Sequence, residues 1–420
     1  MAAVISLIML FALLVPDILR AGSLGTYASP QPEVAATPGL PDLLSQLGSR
    51  GLRMAIVKPV FTATAYSSFY FFFHKHAHTK RNETVRSDLH FLNASIVDDW
   101  GWARGLYNFV ISKEAGRAGL QLGKNIWVIS DIDIDRGALF DAKGERQFDL
   151  LILGFEEYVT AREYYDIRRF VASGGFLLVM DATTFLAEVM YWPRAHRLSL
   201  VRGHGWSFNG TAARPDVYSR WRDENANWLA SDYCCYDPGS YTGALLAIDA
   251  NTTNPIIINL YRLFGPRVFL SYHGHEENRL LNMSHTTIIA VWQRHKPHDH
   301  DVIAAYLHVY QKGLVIHFGA MASDVIEHDR SVQAFLVQSI RYAHLLSRPG
   351  GAIREQTSPG TSQGTPQALA VLLAWPLALL QDSSVEAGPE YAALAARDED
   401  IVPSRPPLAG RSAFRASPAG

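Results

Sequence analysis

The stretch Asp149–Asp181, which reads DLLILG-FEEY-VTAREYYDIRRFVASGG-FLLVMD, decides the fold. It contains two short and wholly apolar runs, Leu150–Leu153 and Phe176–Met180. Apolar runs of this length, without alternation, are typical of strands that are buried on both faces of a sheet. The sequence therefore predicts two interior strands of a parallel sheet.

The segment between these two runs has the start and stop signals of a helix. Thr160 is followed three residues later by Glu163, which is the spacing of a capping box at a helix N-terminus. The pair Gly174-Gly175 ends the helix, because glycine tolerates the left-handed conformation of a C-cap. The apolar residues in between fall at helical spacing on one face: Tyr164, Ile167, Phe170 and Val171.

A strand, a helix and a second strand in this order form a β-α-β unit, whose two strands are parallel. Glu156, Glu157 and Tyr158 directly follow the first strand, and Asp181 ends the second. Ligand sites in open α/β sheets lie outside the carboxyl ends of the strands. The sequence therefore predicts a candidate site at this edge of the sheet.

The composition is that of a globular protein long enough for one large or two ordinary domains. The chain has 420 residues, of which 48% are hydrophobic and 19% charged, and its net charge is −2. Such a balance gives no electrostatic support for a nucleic-acid partner or an anionic membrane surface. A small-molecule substrate is the expected partner, and homo-oligomerisation is left open.

Four segments follow from the composition along the chain. Residues 1–22 are predicted to be a signal peptide, with an uncleaved N-terminal anchor as the alternative because the segment lacks a basic start. Residues 23–50 form a linker, 51–347 the folded domain, and 348–420 a disordered tail rich in Gly, Pro, Ser and Ala. The apolar run 368–380 is too short to span a membrane.

A secreted or cell-surface protein is the expectation from this signal segment. Five N-x-S/T sequons support it as glycosylation acceptors, at Asn82, Asn93, Asn209, Asn251 and Asn282. The only cysteines, Cys234 and Cys235, are adjacent, which excludes a disulfide framework. Two small buried thiols are favoured over a strained vicinal disulfide.

Further elements are predicted from apolar runs and helical periodicity on both sides of the central unit. The predicted strands are Leu52–Val57, Asn125–Ser130, Ala244–Ile248, Ile256–Leu260, Val268–Tyr272, Thr286–Trp292 and Leu314–Phe318, and Leu198–Trp206 is predicted to be a strand and a turn. The predicted helices are Trp102–Ala115, Thr183–Met190 and Ser331–Leu346. Together they indicate an α/β fold with a mostly parallel sheet, flanking helices and additional β-rich segments.

Two polar motifs admit metal interpretations. His74, His76 and His78 alternate and would share one face of a strand, but their spacing matches no zinc signature, so exposed or core-edge histidines are favoured. The run DIDID at 131–135 lacks the glycine and the closing glutamate of a calcium loop. Asp131 is therefore interpreted as a residue at the end of a strand.

The usual nucleophile motifs are missing from the sequence. It has no G-x-S-x-G elbow, no Walker A motif and no G-x-G-x-x-G that opens a helix. The strand-to-helix turn where a class I amidotransferase has its cysteine holds Glu156, Glu157 and Tyr158 instead. Thiol catalysis at this turn is therefore excluded.

The central stretch resembles the C-terminal domain of the large (beta) subunit of N,N-dimethylformamidase, within the class I glutamine amidotransferase-like superfamily. That family has a buried strand, H-x-E-Y, a helix, Gly-Gly and a hydrophobic strand, in the same order as LLILG-FEEY-VTAREYYDIRRFVASGG-FLLVMD. IWVISDID resembles its strand that ends in T-D-x-D, and FTATAYSSFYFF its aromatic segment. The resemblance extends over residues 52–346 and is carried mainly by 125–185.

The resemblance implies a metal-dependent amidohydrolase that acts on the C–N bond of a small, formamide-like amide. In the family two tyrosinates and one glutamate hold a mononuclear iron. Tyr158 matches the tyrosine of H-x-E-Y, and Glu157 matches its glutamate. Tyr66 matches the upstream tyrosine, with Tyr70 as competitor. The family's histidine is replaced by Phe155, which puts an acid–base role at that position in doubt.

The remaining roles are assigned with alternatives. Glu276 or Glu277 in HGHEEN is the implied glutamate ligand, and Glu224 is the runner-up. Glu157 and Asp131 are the candidate catalytic carboxylates. Iron is the implied metal, since a hard trivalent ion suits anionic oxygen ligands, and zinc is the alternative.

Two other functions remain open. A non-catalytic binding or surface protein on the same fold would use Trp206, Trp221 and Trp228 as exposed contact residues. A zinc hydrolase would be centred on His273 and His275.

Overall fold

The β-α-β unit predicted at 149–181 is present. In the computed structural model, strands Leu150–Leu153 and Phe176–Val179 pair in parallel, and helix Ala161–Ala172 connects them. The Thr160 hydroxyl accepts the Glu163 N–H at 3.1 Å, as the predicted cap requires. The structure describes residues 52–76, 83–216, 218–236, 241–271, 276–294 and 303–347, all within one compact unit.

The described residues form seventeen strands and ten α-helices, with short 3₁₀ turns at Leu89–Leu92 and Gly101–Ala103. The strands are Met54–Lys58 (β1), Asn93–Ser95 (β2), Ile126–Ser130 (β3), Leu150–Leu153 (β4), Tyr158–Thr160 (β5), Phe176–Val179 (β6), Ala187–Trp192 (β7), Arg197–Gly203 (β8), Trp206–Phe208 (β9), Ala213–Pro215 (β10), Ser231–Tyr236 (β11), Tyr241–Leu246 (β12), Arg267–Val268 (β13), Glu276–Leu280 (β14), Thr286–Arg294 (β15), Ile303–Tyr310 (β16) and Gly313–Phe318 (β17). The helices are Val60–Tyr66 (α1), Phe69–His76 (α2), Arg104–Val110 (α3), Lys113–Arg117 (α4), Asp131–Asp135 (α5), Ala161–Ala172 (α6), Arg222–Trp228 (α7), Pro255–Phe264 (α8), Ala322–Val325 (α9) and Arg330–Ser347 (α10).

The main sheet is mixed rather than mostly parallel. Its strand order is β13-β12-β15-β16-β17-β6-β4-β1-β3. The strands from β17 to β3 are parallel, whereas those from β13 to β17 are joined by antiparallel pairings. The α/β class and the parallel centre are confirmed, and the antiparallel half is an extension of that centre.

Both faces of the parallel centre are covered, which explains its continuous apolar strands. On one face Leu151, Leu153, Leu177 and Val179 pack against the buried side of α6. On the other face, alternate residues of the same strands pack in a core that also includes residues of α3, α8 and α10. The carboxyl ends of β1, β4 and β6 are thereby held between two helical layers.

Helix α6 and strand β17 approach so closely that only glycine fits between them. A Cβ on Gly313 would lie 2.0 Å from the Val171 carbonyl oxygen and 2.5 Å from that of Gly175. A Cβ on Gly175 would lie 2.3 Å from the ring of Phe170. The predicted Gly-Gly stop therefore also sets the distance between the helix and the sheet.

A second sheet of six strands stands beside the carboxyl edge of the first. Its order is β10-β9-β8-β7-β5, and β2 also pairs with β8. A third core fills the space between this sheet and helices α1 and α2, with Phe61, Phe69, Tyr158 and Trp206 among its buried side chains. Strand β5 begins at Tyr158, so the two sheets meet at the loop that follows β4.

Three sequence predictions about secondary structure are wrong. The predicted strand Ile256–Leu260 lies in helix α8, because Asn254 caps it by accepting the Ile256 N–H at 2.9 Å and Pro255 occupies its first turn. The predicted helix Thr183–Met190 is instead a loop followed by β7, whose side chains alternate between buried and exposed. His74 and His76 lie on helix α2, where Phe69 and Phe72 point into the third core.

Smaller differences concern element ends and breaks. The predicted helix Trp102–Ala115 is divided into α3 and α4 by Ser112, whose side chain caps α4. Strand β13 ends at Val268, and Tyr272 and His78 lie outside the described residues. Cys234 is disulfide-bonded, so the expectation of two free buried thiols is wrong. Among the described helices none is both long and apolar enough for a membrane span.

Candidate functional site

The loop between β4 and β5 is the structural centre of the candidate site. The Thr62 hydroxyl, on α1, accepts the backbone N–H groups of both Glu157 and Tyr158 at 3.0 Å. On the other side, the Glu157 carbonyl accepts the N–H groups of Leu186 and Ala187. These bonds fix the direction of the Glu157 and Tyr158 side chains relative to α1.

Glu157 is fully buried and bridges two distant parts of the chain. Its Oε2 accepts a 2.7 Å hydrogen bond from the Tyr66 hydroxyl at the end of α1. Its Oε1 contacts Nε2 of His204, which lies in the turn between β8 and β9. The sequence prediction that Tyr66 and Glu157 share a site is consistent with this contact.

Burial makes His204 a neutral side chain. Desolvation lowers the pKa of its imidazole to about 3, and His74 adds to the lowering. A neutral ring that donates from Nε2 to Glu157 leaves Nδ1 as an acceptor, and in the described part of the chain Nδ1 has no partner.

Tyr158 is fully buried, and its hydroxyl has no hydrogen-bond partner among the described residues. Its ring stacks on His204 with centroids 5.1 Å apart and stands perpendicular to the ring of Tyr66 at 6.2 Å. Burial, followed by the Glu157 carboxylate, raises the pKa of both the Tyr66 and the Tyr158 hydroxyls well above the ordinary value. Both hydroxyls therefore lie within the electrostatic reach of one carboxylate.

Aromatic rings surround this group of four residues. Tyr70, the competitor of Tyr66, stacks on Tyr66 at 4.5 Å. Phe155 packs against Tyr66 at 5.2 Å. Phe73 and Tyr218 contact the His204 ring at 4.6 and 5.4 Å. The position where the resembled family has histidine therefore belongs to the hydrophobic wall of the site.

A group of buried carboxyls lies at the same sheet edge. Asp131, Glu156, Glu163 and Asp181 are each 0% exposed. Asp131 accepts the Phe61 N–H at 2.5 Å and its neighbour's N–H at 2.8 Å. Both carboxyl oxygens of Glu156 and both of Glu163 are without a hydrogen-bond partner in the described residues.

Burial is the main cause that raises the pKa of Asp131, Glu156 and Glu163 well above the ordinary values. Neighbouring carboxyls raise it further, because Asp133 and Asp135 act on Asp131, and Asp131 acts on both glutamates. The capping box at Thr160 is thus half formed, because the Glu163 side chain faces the buried carboxyls instead of the cap. Asp131 begins α5 directly after β3, as its interpretation as a strand-end residue predicts.

The other predicted site residues do not join this group. Glu224 pairs with Arg168 at 3.4 Å. The side chains of Glu276 and Glu277, and all of His273 and His275, lie outside what the structure describes. Trp206, Trp221 and Trp228 are at most 4% exposed, so their prediction as exposed contact residues is wrong.

Sequence reasoning missed His204. It lies at a positive φ of 51° between two glycines that also have positive φ, in the turn RGHGW. A histidine flanked by glycines in a tight turn was the available signal, because that backbone fixes the ring's direction. In the described residues no group of three or more His, Cys, Asp and Glu side chains is arranged to hold a metal. A metal at this site would therefore depend on the tyrosines.

Comparison with known proteins leaves the family open. No protein-family model matches the chain, and no curated protein matches it. Among solved structures it is similar to a ThuA-like protein from Bacteroides uniformis, at 10% identity over 73% of this chain and 96% of that one, with a TM-score of 0.37. It is also similar to the GH42 beta-galactosidase Gan42B from G. stearothermophilus, at 13% identity over 72% of this chain with a TM-score of 0.35. The chain spans 31% of the length of that enzyme.

Proposed function

We propose that this protein is a metal-dependent hydrolase with a glutamine amidotransferase-like fold, which cleaves the C–N bond of a small formamide-like amide. The observation that carries the proposal is the buried Tyr158 hydroxyl, which has no hydrogen-bond partner among the described residues. The charge of Glu157 raises the pKa of this hydroxyl and of the Tyr66 hydroxyl. A buried hydroxyl without a partner costs about 1–3 kcal/mol, which is reason to ask what it binds.

The donor set fits a hard trivalent cation. Tyr66, Tyr158 and Glu157 together offer two phenols and one carboxylate, which are oxygen donors that ferric iron prefers over softer metals. Zinc, which favours nitrogen and sulfur, fits less well and remains the alternative. Such an ion would supply Lewis acidity toward the amide carbonyl. This assignment replaces Glu276 and Glu277 with Glu157 as the carboxylate donor.

The chain's own residues would hold the reacting groups and move protons. Glu157 Oε2 accepts a hydrogen bond from the Tyr66 hydroxyl, which holds the phenol oxygen and the carboxylate side by side as two donors of the site. His204 orients the carboxylate through Nε2, and its neutral Nδ1 is an acceptor in the same buried space. Because Phe155 replaces the family's histidine, His204 is the histidine that we assign to positioning Glu157 and to accepting a hydrogen bond through its neutral Nδ1.

The aromatic wall favours a small, weakly polar amide. The rings of Tyr70 and Phe155 pack against Tyr66, and those of Phe73 and Tyr218 pack against His204, so the surroundings of the site are largely aromatic. Trp206, Trp221 and Trp228 are buried, so they do not support the alternative of a non-catalytic binding protein. No specific observation therefore favours that second function.

The test combines metal content with turnover. We expect purified protein to bind iron at near-stoichiometric level by elemental analysis and to release formate from formamides. Tyr66→Phe and Tyr158→Phe should each lower both iron content and turnover. Protein that retains neither iron nor zinc after incubation with the metals, or Phe variants that bind and turn over like the parent, would contradict the proposal.

A further inference from the structure

The turn between β9 and β10 carries an exposed asparagine in the sequence Asn209-Gly210-Thr211. Asn209, Gly210 and Thr211 are all exposed. Gly210 has a φ of +86°, and no atom lies within 4 Å of where its Cβ would be. The tip of this turn therefore has open space around it.

The Asn209 side chain is held by one of its two polar ends. Its Oδ1 accepts the N–H and the hydroxyl of Thr211, both at 3.0 Å, and the N–H of Ala212 at 2.8 Å. Its Nδ2 makes no hydrogen bond within the described chain. The side chain is thus fixed in direction while its amide nitrogen stays free.

We propose that Asn209 is an N-glycosylation site. Nδ2 forms a bond to the anomeric carbon of a lipid-linked oligosaccharide pyrophosphate, the bond from that carbon to the pyrophosphate oxygen breaks, and the lipid pyrophosphate leaves. The Nδ2 proton that is lost goes to the transferring enzyme's base. A glycan on Nδ2 displaces no hydrogen bond of the turn, since Oδ1 carries all three.

The other sequons within the described residues offer less favourable settings. Asn93 lies in strand β2, and its Oδ1 accepts the Ser199 hydroxyl of the neighbouring strand at 2.6 Å. Asn282 is only partly exposed, and its Oδ1 accepts one N–H, that of Ser284, at 2.9 Å. Asn251 is also exposed and lies in a turn, where its backbone N–H donates to Asp249 at 2.9 Å, but no hydrogen bond within the described residues fixes its side chain. Asn209 differs from it because the Thr211 hydroxyl and two N–H groups hold its side chain in an exposed turn. The proposal depends on entry into the secretory pathway and not on the hydrolase activity.

The test is secretory expression of the full chain in mammalian cells, followed by peptide mapping. Glycan removal by an amidase in ¹⁸O-labelled water should convert Asn209 to ¹⁸O-labelled Asp. A sample kept for the same time in the same labelled water without the amidase controls for spontaneous deamidation, to which an Asn-Gly pair in a turn is prone and which takes up the label when it occurs there. Thr211→Ala should abolish the labelled peptide, and Thr211→Ser, which keeps the hydroxyl, should retain it.

The proposal is overturned if the peptide that contains Asn209 carries no glycan, whether the full chain is recovered from the medium or from the cells. It is also overturned if Thr211→Ala leaves the label unchanged. Labelling at other sequons alone, with Asn209 unmodified, counts against the structural argument for this turn. None of these outcomes depends on metal content or turnover, so the failure of either proposal leaves the other standing.

Discussion

The hydroxyl of Tyr66 donates a 2.7 Å hydrogen bond to the carboxylate of Glu157, 91 residues further along the chain. The two side chains meet because the Thr62 hydroxyl of α1 accepts the N–H groups of Glu157 and Tyr158 in the loop after β4. His204 reaches the same carboxylate from the second sheet. One buried acid thus joins three elements, and the following experiments separate its structural from its chemical role.

Replacing Tyr158 by Phe is expected to leave the fold intact while weakening metal binding. The variant loses a buried hydroxyl that has no described partner, so its free energy of unfolding should be unchanged or higher by about 1 kcal/mol. Denaturant unfolding and elemental analysis measure the two effects.

Tyr164→Phe is the matched control for this variant. Its hydroxyl donates to Asn225 at 3.0 Å and accepts from Trp228 at 2.9 Å. Its loss should lower the free energy of unfolding by about 1–3 kcal/mol without changing metal content. A Tyr158→Phe protein destabilised as much as this control would show that the Tyr158 hydroxyl has a structural partner, against our assignment.

Glu157→Gln and Glu157→Ala should have the same effect on turnover and different effects on stability. The amide of glutamine keeps an acceptor and a donor for Tyr66 and His204, which can change its tautomer, so the stability should change little. Alanine leaves two buried donors unpaired, which costs about 2–5 kcal/mol. Both should abolish formate release, because neither has a carboxylate; a Gln variant with parental turnover would rule out Glu157 as a metal ligand or base.

The sequence predicted the parallel centre because the information there is local. The apolar runs of β4 and β6, the Thr160 cap and the Gly174-Gly175 stop each act within a few residues. Ile256–Leu260 was misassigned because a short apolar run fits a strand and a helix equally well, and the Asn254-Pro255 start signal was overlooked.

The site was only half accessible to sequence reasoning. Tyr66, Glu157 and Tyr158 were found through the resemblance and through their place at a strand end. His204 comes from a sheet whose position no local pattern reveals, and it reaches Glu157 only through tertiary packing. Trp206, Trp221 and Trp228 were predicted to be exposed contact residues, whereas they are buried in two separate cores that form only through tertiary packing.

Glu163→Gln should flatten the dependence of stability on pH. Burial and the neighbouring Asp131 and Glu156 raise the pKa of Glu163, so above its unfolded-state pKa of about 4.3 the folded state binds more protons than the unfolded state. The free energy of unfolding therefore falls as pH rises from about 5 to about 8, and glutamine removes this part of the fall.

Urea unfolding at about pH 5 and about pH 8 measures how much the free energy of unfolding falls between the two values. The exposed Glu145 gives the control variant Glu145→Gln, which should keep the parental slope. If Glu163→Gln retains the full parental fall in stability between about pH 5 and about pH 8, the Glu163 carboxyl is not an origin of that fall.

Gly313→Ala is expected to disrupt the packing of α6 on the sheet. The new Cβ would lie 2.0 Å from the Val171 carbonyl oxygen, which is backbone and has no other rotamer to adopt. The helix must move away from β17, and we expect a loss of about 3 kcal/mol or more in the free energy of unfolding. Gly116→Ala is the control, because a Cβ on this residue of helix α4 would meet nothing within 4 Å, and the variant should be more stable by about 0.5–1 kcal/mol.

Gly313→Ala should also reduce metal content, because α6 begins directly after strand β5, which carries Tyr158, although Gly313 lies far along the chain from every proposed ligand. Equal stability of the two variants by denaturant unfolding would mean that the helix tolerates a wider spacing, and that the close contact does not fix the position of Tyr158.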